Sequence, residues 1–126
     1  MIALLSASAL TLAALQASIS TPTSAFRGCL HDAAAKATSD NVSADTIETY
    51  LRNACTAQLG TLKSALVDFR IKNGMTKKAA ADDAEMTIDD YVATPADNYK
   101  FMASQNKPAA PAPTAKPAPT PASQPH

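Results

Sequence analysis

Residues 47–69 read IETYLRNACTAQLGTLKSALVDF. Within them Ile47, Leu51, Cys55, Leu59, Leu62, Leu66 and Phe69 recur at steps of four, four, four, three, four and three. Side chains at that spacing stack on one side of a 3.6-residue turn, so the stretch predicts one amphipathic helix of about six turns. Ser43 stands ahead of it as an N-cap, where a hydroxyl accepts from an otherwise unpartnered N–H of the first turn. Asn73-Gly74 closes it, because glycine readily takes the left-handed conformation that ends a helix. Glu48 with Arg52 and Asp68 with Lys72 are ordered for i, i+4 ion pairs on the polar face. Gly60 costs the helix about 1 kcal/mol relative to alanine and suits close approach of a neighbour.

Upstream, residues 26–38 are alanine-rich, with Phe26, Cys29, Leu30, Ala33 and Ala37 on one helical face. Ser39-Asp40-Asn41-Val42-Ser43 reads as a turn. Counting outward from Asn41, Cys29 lies twelve residues before it and Cys55 fourteen after. In an antiparallel hairpin rising about 1.5 Å per residue, those two sit at nearly the same height. A Cys29–Cys55 disulfide between the first two helices follows.

Downstream, Thr76 can cap a third helix with Ala81, Ala84, Ile88, Tyr91 and Val92 on one face. Thr94-Pro95-Ala96-Asp97 has the order of a new helix start, an N-cap, proline at the first helical position and an acid following. A break near Thr94 is therefore expected, then a short fourth helix presenting Tyr99 and Met102. No stretch alternates with the period of a strand. The fold class is all-α, a small antiparallel three- to four-helix bundle with one disulfide. A domain of this size buries only about 60% of its unfolded surface, so the crosslink compensates for a thin core.

The flanks differ from this centre. The first twenty-five residues carry no charged side chain, and residues 2–15 are apolar or small. That run is shorter than the roughly 20 residues that span a bilayer and suits the apolar part of a signal peptide. Thr23 and Ala25 supply small side chains three and one before a cleavage point, so residues 1–25 read as a signal peptide cut after Ala25. Cleavage after Ala17, with Leu15 three back, and an uncleaved anchor are the alternatives. No Lys or Arg precedes the run, so either the terminal amine provides the charge or translation starts further upstream. Lipid attachment at Cys29 is excluded by Phe26 and Arg27, which replace the aliphatic and small residues that it needs. Residues 105–126 hold seven of the nine prolines, interleaved with Ala, Thr and Ser. They read as a disordered Pro/Ala-rich tail, a polyproline-type spacer after a helical domain at 26–104.

Few function classes survive the composition. Formal net charge is +0, and residues 26–104 hold nine Lys and Arg against eleven Asp and Glu, so there is no nucleic-acid footprint. The cysteines lack the Cys-x-x-Cys spacing of a redox pair, and no zinc-ligand spacing or phosphate-binding loop occurs. His31 has Asp32 beside it, but adjacent residues face different sides of a helix, and His126 ends the tail; no nucleophile–base pair can be assembled. Asp82, Glu85 and Asp89 share a face and form the best candidate for a weak divalent site, though no loop accompanies them to wrap an ion. Arg70, Lys72, Lys77 and Lys78 gather near Gly74, in part as complements to a helix C-terminus. Met75, Met86 and Met102 are scattered as core fillers. Asn41-Val42-Ser43 matches a glycosylation acceptor.

The sequence thus predicts a non-enzymatic periplasmic or secreted interaction or structural module. No catalytic, metal or cofactor site is expected, and the partner is an envelope protein or cell-wall component. Nucleic acid is excluded as a partner, and membrane contact is confined to the first segment if it stays uncleaved. The alternative is a periplasmic protein binding a small ligand or divalent metal through Asp82, Glu85 and Asp89 or an interhelical cleft.

Phe26-Arg27-Gly28-Cys29, Asn53-Ala54-Cys55, Lys72-Asn73-Gly74-Met75 and Asp89-Asp90-Tyr91 together resemble a group of small exported helical proteins of Gram-negative, alphaproteobacterial-type bacteria. These share a signal peptide, a helical segment and a Pro/Ala-rich C-terminal tail. The resemblance implies a periplasmic setting and no particular activity. The chain departs from the group at Met1-Ile2-Ala3, where basic residues are missing.

Overall fold

A computed structural model describes residues 9–106, with side chains placed from Ser18 onward. The described chain is a bundle of four helices, α1 (Ala9–Ser39), α2 (Ile47–Ala54), α3 (Thr56–Lys72) and α4 (Lys77–Asn106). α2 and α3 follow one another as a single bent arm. α1 and α4 both pack against that arm and meet each other less closely. They run parallel to one another and antiparallel to the arm, with Arg27 beside Tyr91 and, further along, Ala37 beside Tyr99.

Two turns of the same construction reverse the chain. At the end of α1, Val42 N–H donates to Ala37 O and Asn41 N–H to Thr38 O, with Asn41 in the left-handed region at φ 54. At the end of α3, Met75 N–H donates to Arg70 O and Gly74 N–H to Ile71 O, with Gly74 at φ 94. Both are Schellman closures, which satisfy the last carbonyls of the helix. Glycine takes this conformation without a Cβ clash, and asparagine is among the few other residues that take it readily. The stop at Asn73-Gly74 is as the sequence predicts.

The apolar stripes meet in one core. Phe26, Leu30, Ile47, Leu51, Leu62 and Ile88 are its largest fully buried side chains. Ala80, Ala84, Ile88, Val92 and Ala96 give α4 a buried face that advances strictly by four. Among the described residues no polar or charged side chain is buried. Cys29 and Cys55 form a disulfide with Cα atoms 5.9 Å apart, as expected from their matched height in the hairpin. Thr76 caps α4, accepting from Ala79 N–H at 3.2 Å.

Several local expectations are corrected. The long second helix bends at Cys55, which separates α2 from α3. Cys55 itself leaves helical geometry there, at φ −112 and ψ 25, and the Thr56 hydroxyl next to it donates to Arg52 O at 3.2 Å and Asn53 O at 3.0 Å. Ser43 caps no helix; it opens a turn in which its Oγ accepts from Asp45 N–H, and α2 begins only at Ile47, after Thr46. Nothing approaches the place where Gly60 would carry a Cβ, so this glycine permits no close packing.

The break expected near Thr94 is absent, and α4 continues through Pro95 to Asn106. Proline withholds one donor from the carbonyl four residues back, at a cost of about 3 kcal/mol. Val92 and Ala96 on either side are buried in the core, so packing holds the two halves in line. α1 likewise passes through Pro22, with Ile19 packed on the core ahead of it and Phe26 buried after it. Residues 1–8 and 107–126, which carry half of the expected apolar run and nearly all of the tail, lie outside the described residues.

Candidate functional site

The acidic face of α4 is built first by sequence and then by its neighbours. Asp82, Glu85 and Asp89 lie on one side of the helix, as their spacing requires. Lys78 donates to Asp82 at 2.8 Å from one turn away. Glu85 receives Lys63 of α3 at 2.6 Å and Arg52 of α2 at 3.4 Å, and Arg52 also pairs with Asp89. Arg70 reaches Asp83 at 2.5 Å, and Lys100 reaches Glu48 at 2.7 Å. The hydrogen bond and charge of Lys63, with Arg52 adding to them, hold the Glu85 carboxyl below its ordinary value, and Lys100 does the same for Glu48. The face is therefore a seam of ion pairs fastening α4 to the bent arm. Among the described residues no group of three or more His, Cys, Asp or Glu side chains is placed to hold a metal ion.

The sequence expects Glu48 to pair with Arg52 and Asp68 with Lys72 inside one helix. The structure directs Glu48 and Arg52 to α4 instead, since the bend at Cys55 leaves α2 facing it. Arg70 and Lys78 are likewise engaged with acids, so the cations near Gly74 do not form a free patch. His31 Nδ1 and Asp32 Oδ1 lie 3.5 Å apart on an exposed surface, which differs from the expectation that they point apart. Among the described residues no third side chain bonds to either of them.

The opposite side of α4 has no such seam. An open groove of about 840 Å³ runs between α1 and α4. Its α1 wall is Arg27, Leu30, His31, Ala34, Ala35 and Thr38, stepping along one flank of the buried stripe. Its α4 wall contains Tyr91, Pro95, Asn98, Tyr99, Met102 and Asn106. The groove stays open because small side chains, Ala34 and Ala35, stand where large ones would bridge the helices.

Polar anchors shape its two ends. The Tyr99 hydroxyl donates to Val42 O at 2.6 Å and lies 3.2 Å from Ala37 O, pinning α4 to the α1–α2 turn. Near the other end the Arg27 guanidinium sits 6.0 Å from the Tyr91 ring centroid, at the limit of a cation–π contact. Both tyrosine rings are half-buried, and Met102 is 59% exposed on the groove wall. No Asp or Glu lines the groove, whereas Arg27, His31, Asn98 and Asn106 offer hydrogen-bond donors; the Thr38 and Thr94 hydroxyls donate to Ala34 O and Asp90 O of their own helices.

The sequence places Tyr99 and Met102 at the end of the bundle but misses the groove. One signal was available: Tyr91, Pro95, Tyr99 and Met102 step by four, four and three beside the stripe Ile88–Val92–Ala96, which makes the apolar arc of α4 wider than its core requires. That α1 supplies the other wall depends on which helices adjoin, and periodicity does not report this.

No protein-family model, no curated protein and no solved structure matches the chain.

Among the described residues, no helix is long and apolar enough to cross a membrane. The described chain is thus a small helical module with neither a metal-holding cluster nor a catalytic constellation, and an open apolar groove is its most distinctive surface.

Proposed function

We propose that this chain is a non-enzymatic interaction module of the periplasm or extracellular space, with the groove between α1 and α4 as its contact surface and an envelope protein or cell-wall component as partner. The groove carries this reading. It exposes Met102 and two tyrosine rings, side-chain types enriched where proteins meet. The uncharged leader and the crosslink support the setting, since disulfides persist in oxidising compartments.

The test is capture from periplasmic extract by the full chain and by an Ala35→Arg, Asn98→Arg variant, which fills the groove from exposed positions. One partner retained by the first and lost by the second, with unchanged thermal melting, supports the reading. Equal capture by both, or no partner together with no envelope phenotype on gene deletion, removes it.

A small apolar ligand is the second reading, because the groove volume falls in the range of small-molecule sites. Against it, no buried polar group is present among the described residues to orient a ligand. Calorimetric titration with fatty acids and aromatic acids separates the two.

A further inference from the structure

The groove and the proline-rich tail have complementary chemistry, and the tail begins at the groove's edge. Asn106, the last residue of α4, is itself part of the groove wall. We propose that residues 108–115, Pro-Ala-Ala-Pro-Ala-Pro-Thr-Ala, fold back and occupy the groove of their own chain as an extended polyproline segment.

Length supports this first. From Tyr91 to Asn106 the α4 wall is about 22 Å long at about 1.5 Å per residue. The eight residues between Lys107 and Lys116 carry no charge. They span about 25 Å at the polyproline rise of about 3.1 Å, so the uncharged run matches the groove and both lysines fall outside it.

Hydrogen bonding agrees. A polyproline segment has no internal hydrogen bonds, and its prolines have no N–H, so it presents mainly carbonyl acceptors. The groove offers the reverse, with Arg27 and Asn98 among its donors and no carboxylate. Aromatic-lined grooves are the usual receptors for such segments, because flat rings receive pyrrolidine faces and the ligand is already stiff. Tyr91 and Tyr99 supply rings two turns apart, with Pro95 between them and Met102 exposed beside them. Prolines 108 and 111, three residues apart, share one side of a three-residue turn. The inference goes beyond the reading above, since a seated tail would compete with an outside partner for the same groove, and the measurements below follow the tail alone.

Methyl spectra of the full chain labelled at methionine test it beside a chain ending at Asn106. The Met102 methyl should differ between the two, while Met75 and Met86, which do not line the groove, should not. The full chain should also show contacts from the Met102 methyl to proline δ protons, and the difference should survive dilution. Full-length Pro108→Ser, Pro111→Ser, Pro113→Ser protein should return the Met102 signal to that of the shortened chain. Identical Met102 signals in the full and shortened chains overturn the proposal. So does a difference that fades on dilution, which assigns the groove to the tail of a second copy. A proline-to-serine variant that keeps the full-chain signal overturns it as well.

Discussion

α1 makes two seams, and they are built on different principles. Against the bent arm it is closed by Phe26, Leu30, Leu51 and Leu62, all fully buried or nearly so, and by the Cys29–Cys55 bond. Against α4 it has alanines, a tyrosine hydroxyl at one end and an arginine over a ring at the other. The first seam holds enough cohesion for the second to stay open. A crosslink and a dense apolar stripe on one side free the other side from having to fold the chain, and this is what lets a bundle of this size keep a groove.

Removing the bond should have the largest effect on this contrast. Closing a loop of 26 residues stabilises by about 3–4 kcal/mol on the chain-entropy model. Cys29→Ser should therefore lower the unfolding free energy in urea by about that amount, and Cys29→Ser with Cys55→Ser should lose somewhat more, since the same link is gone and serine at the fully buried position 55 adds an unpartnered hydroxyl to the core. A loss below about 1 kcal/mol would mean that the apolar stripe closes the first seam unaided, well under what the chain-entropy model gives for a loop of this length.

Tyr99→Phe should be smaller and confined to the second seam. It removes the donor to Val42 O, at a cost of about 1 kcal/mol. Amide exchange should rise in the α1–α2 turn and near the end of α4, and stay unchanged around Cys55. Equal acceleration at Cys55 would show that the two seams open together.

The smallest effect expected is on acid titration of the ion pairs that tie α4 to the bent arm. Glu48 and Glu85 have folded values below the ordinary 4.5 because Lys100 and Lys63 bond their charged forms. A lowered carboxyl contributes stability that is fully present above the unfolded value and disappears as pH falls through the folded one. The urea midpoint should thus be insensitive to these two groups above about pH 5 and decline below it. Glu48→Gln with Glu85→Gln should flatten the decline, and salt should do the same in part, because these pairs are largely solvent-exposed. A decline unaltered in the double variant would place its origin in other carboxylates.

The stripes and their partners were legible in the sequence. Ile47 to Leu66 and Ile88 to Val92 are spaced by the helical repeat, and the repeat alone assigns them to a core. Cys29 and Cys55 were legible as a pair because turn position and rise per residue set their heights. The bend at Cys55 was not, since it falls in the middle of an uninterrupted apolar pattern where no glycine or proline marks it. Pro95 misled in the opposite direction, because a local breaker was overruled by burial of Val92 and Ala96 around it. The partners of Glu48 and Arg52 could not be read from spacing, since tertiary neighbours compete with the residue four positions along. The groove belongs to this last kind, as its two walls lie more than fifty residues apart in the chain.

The tyrosines of the groove also give the protein a built-in optical signal. The chain has three tyrosines and no tryptophan. Its intrinsic ultraviolet emission therefore comes from phenol rings alone, and Tyr91 and Tyr99, two of the three emitters, stand in one wall of the groove. Tyr50, whose hydroxyl donates to Asp40, lies outside it and sets a constant background. Anything that settles between the helices strips water from those two rings or moves Arg27 off Tyr91, and either event alters brightness and polarisation of the native protein without dye, tag or substitution.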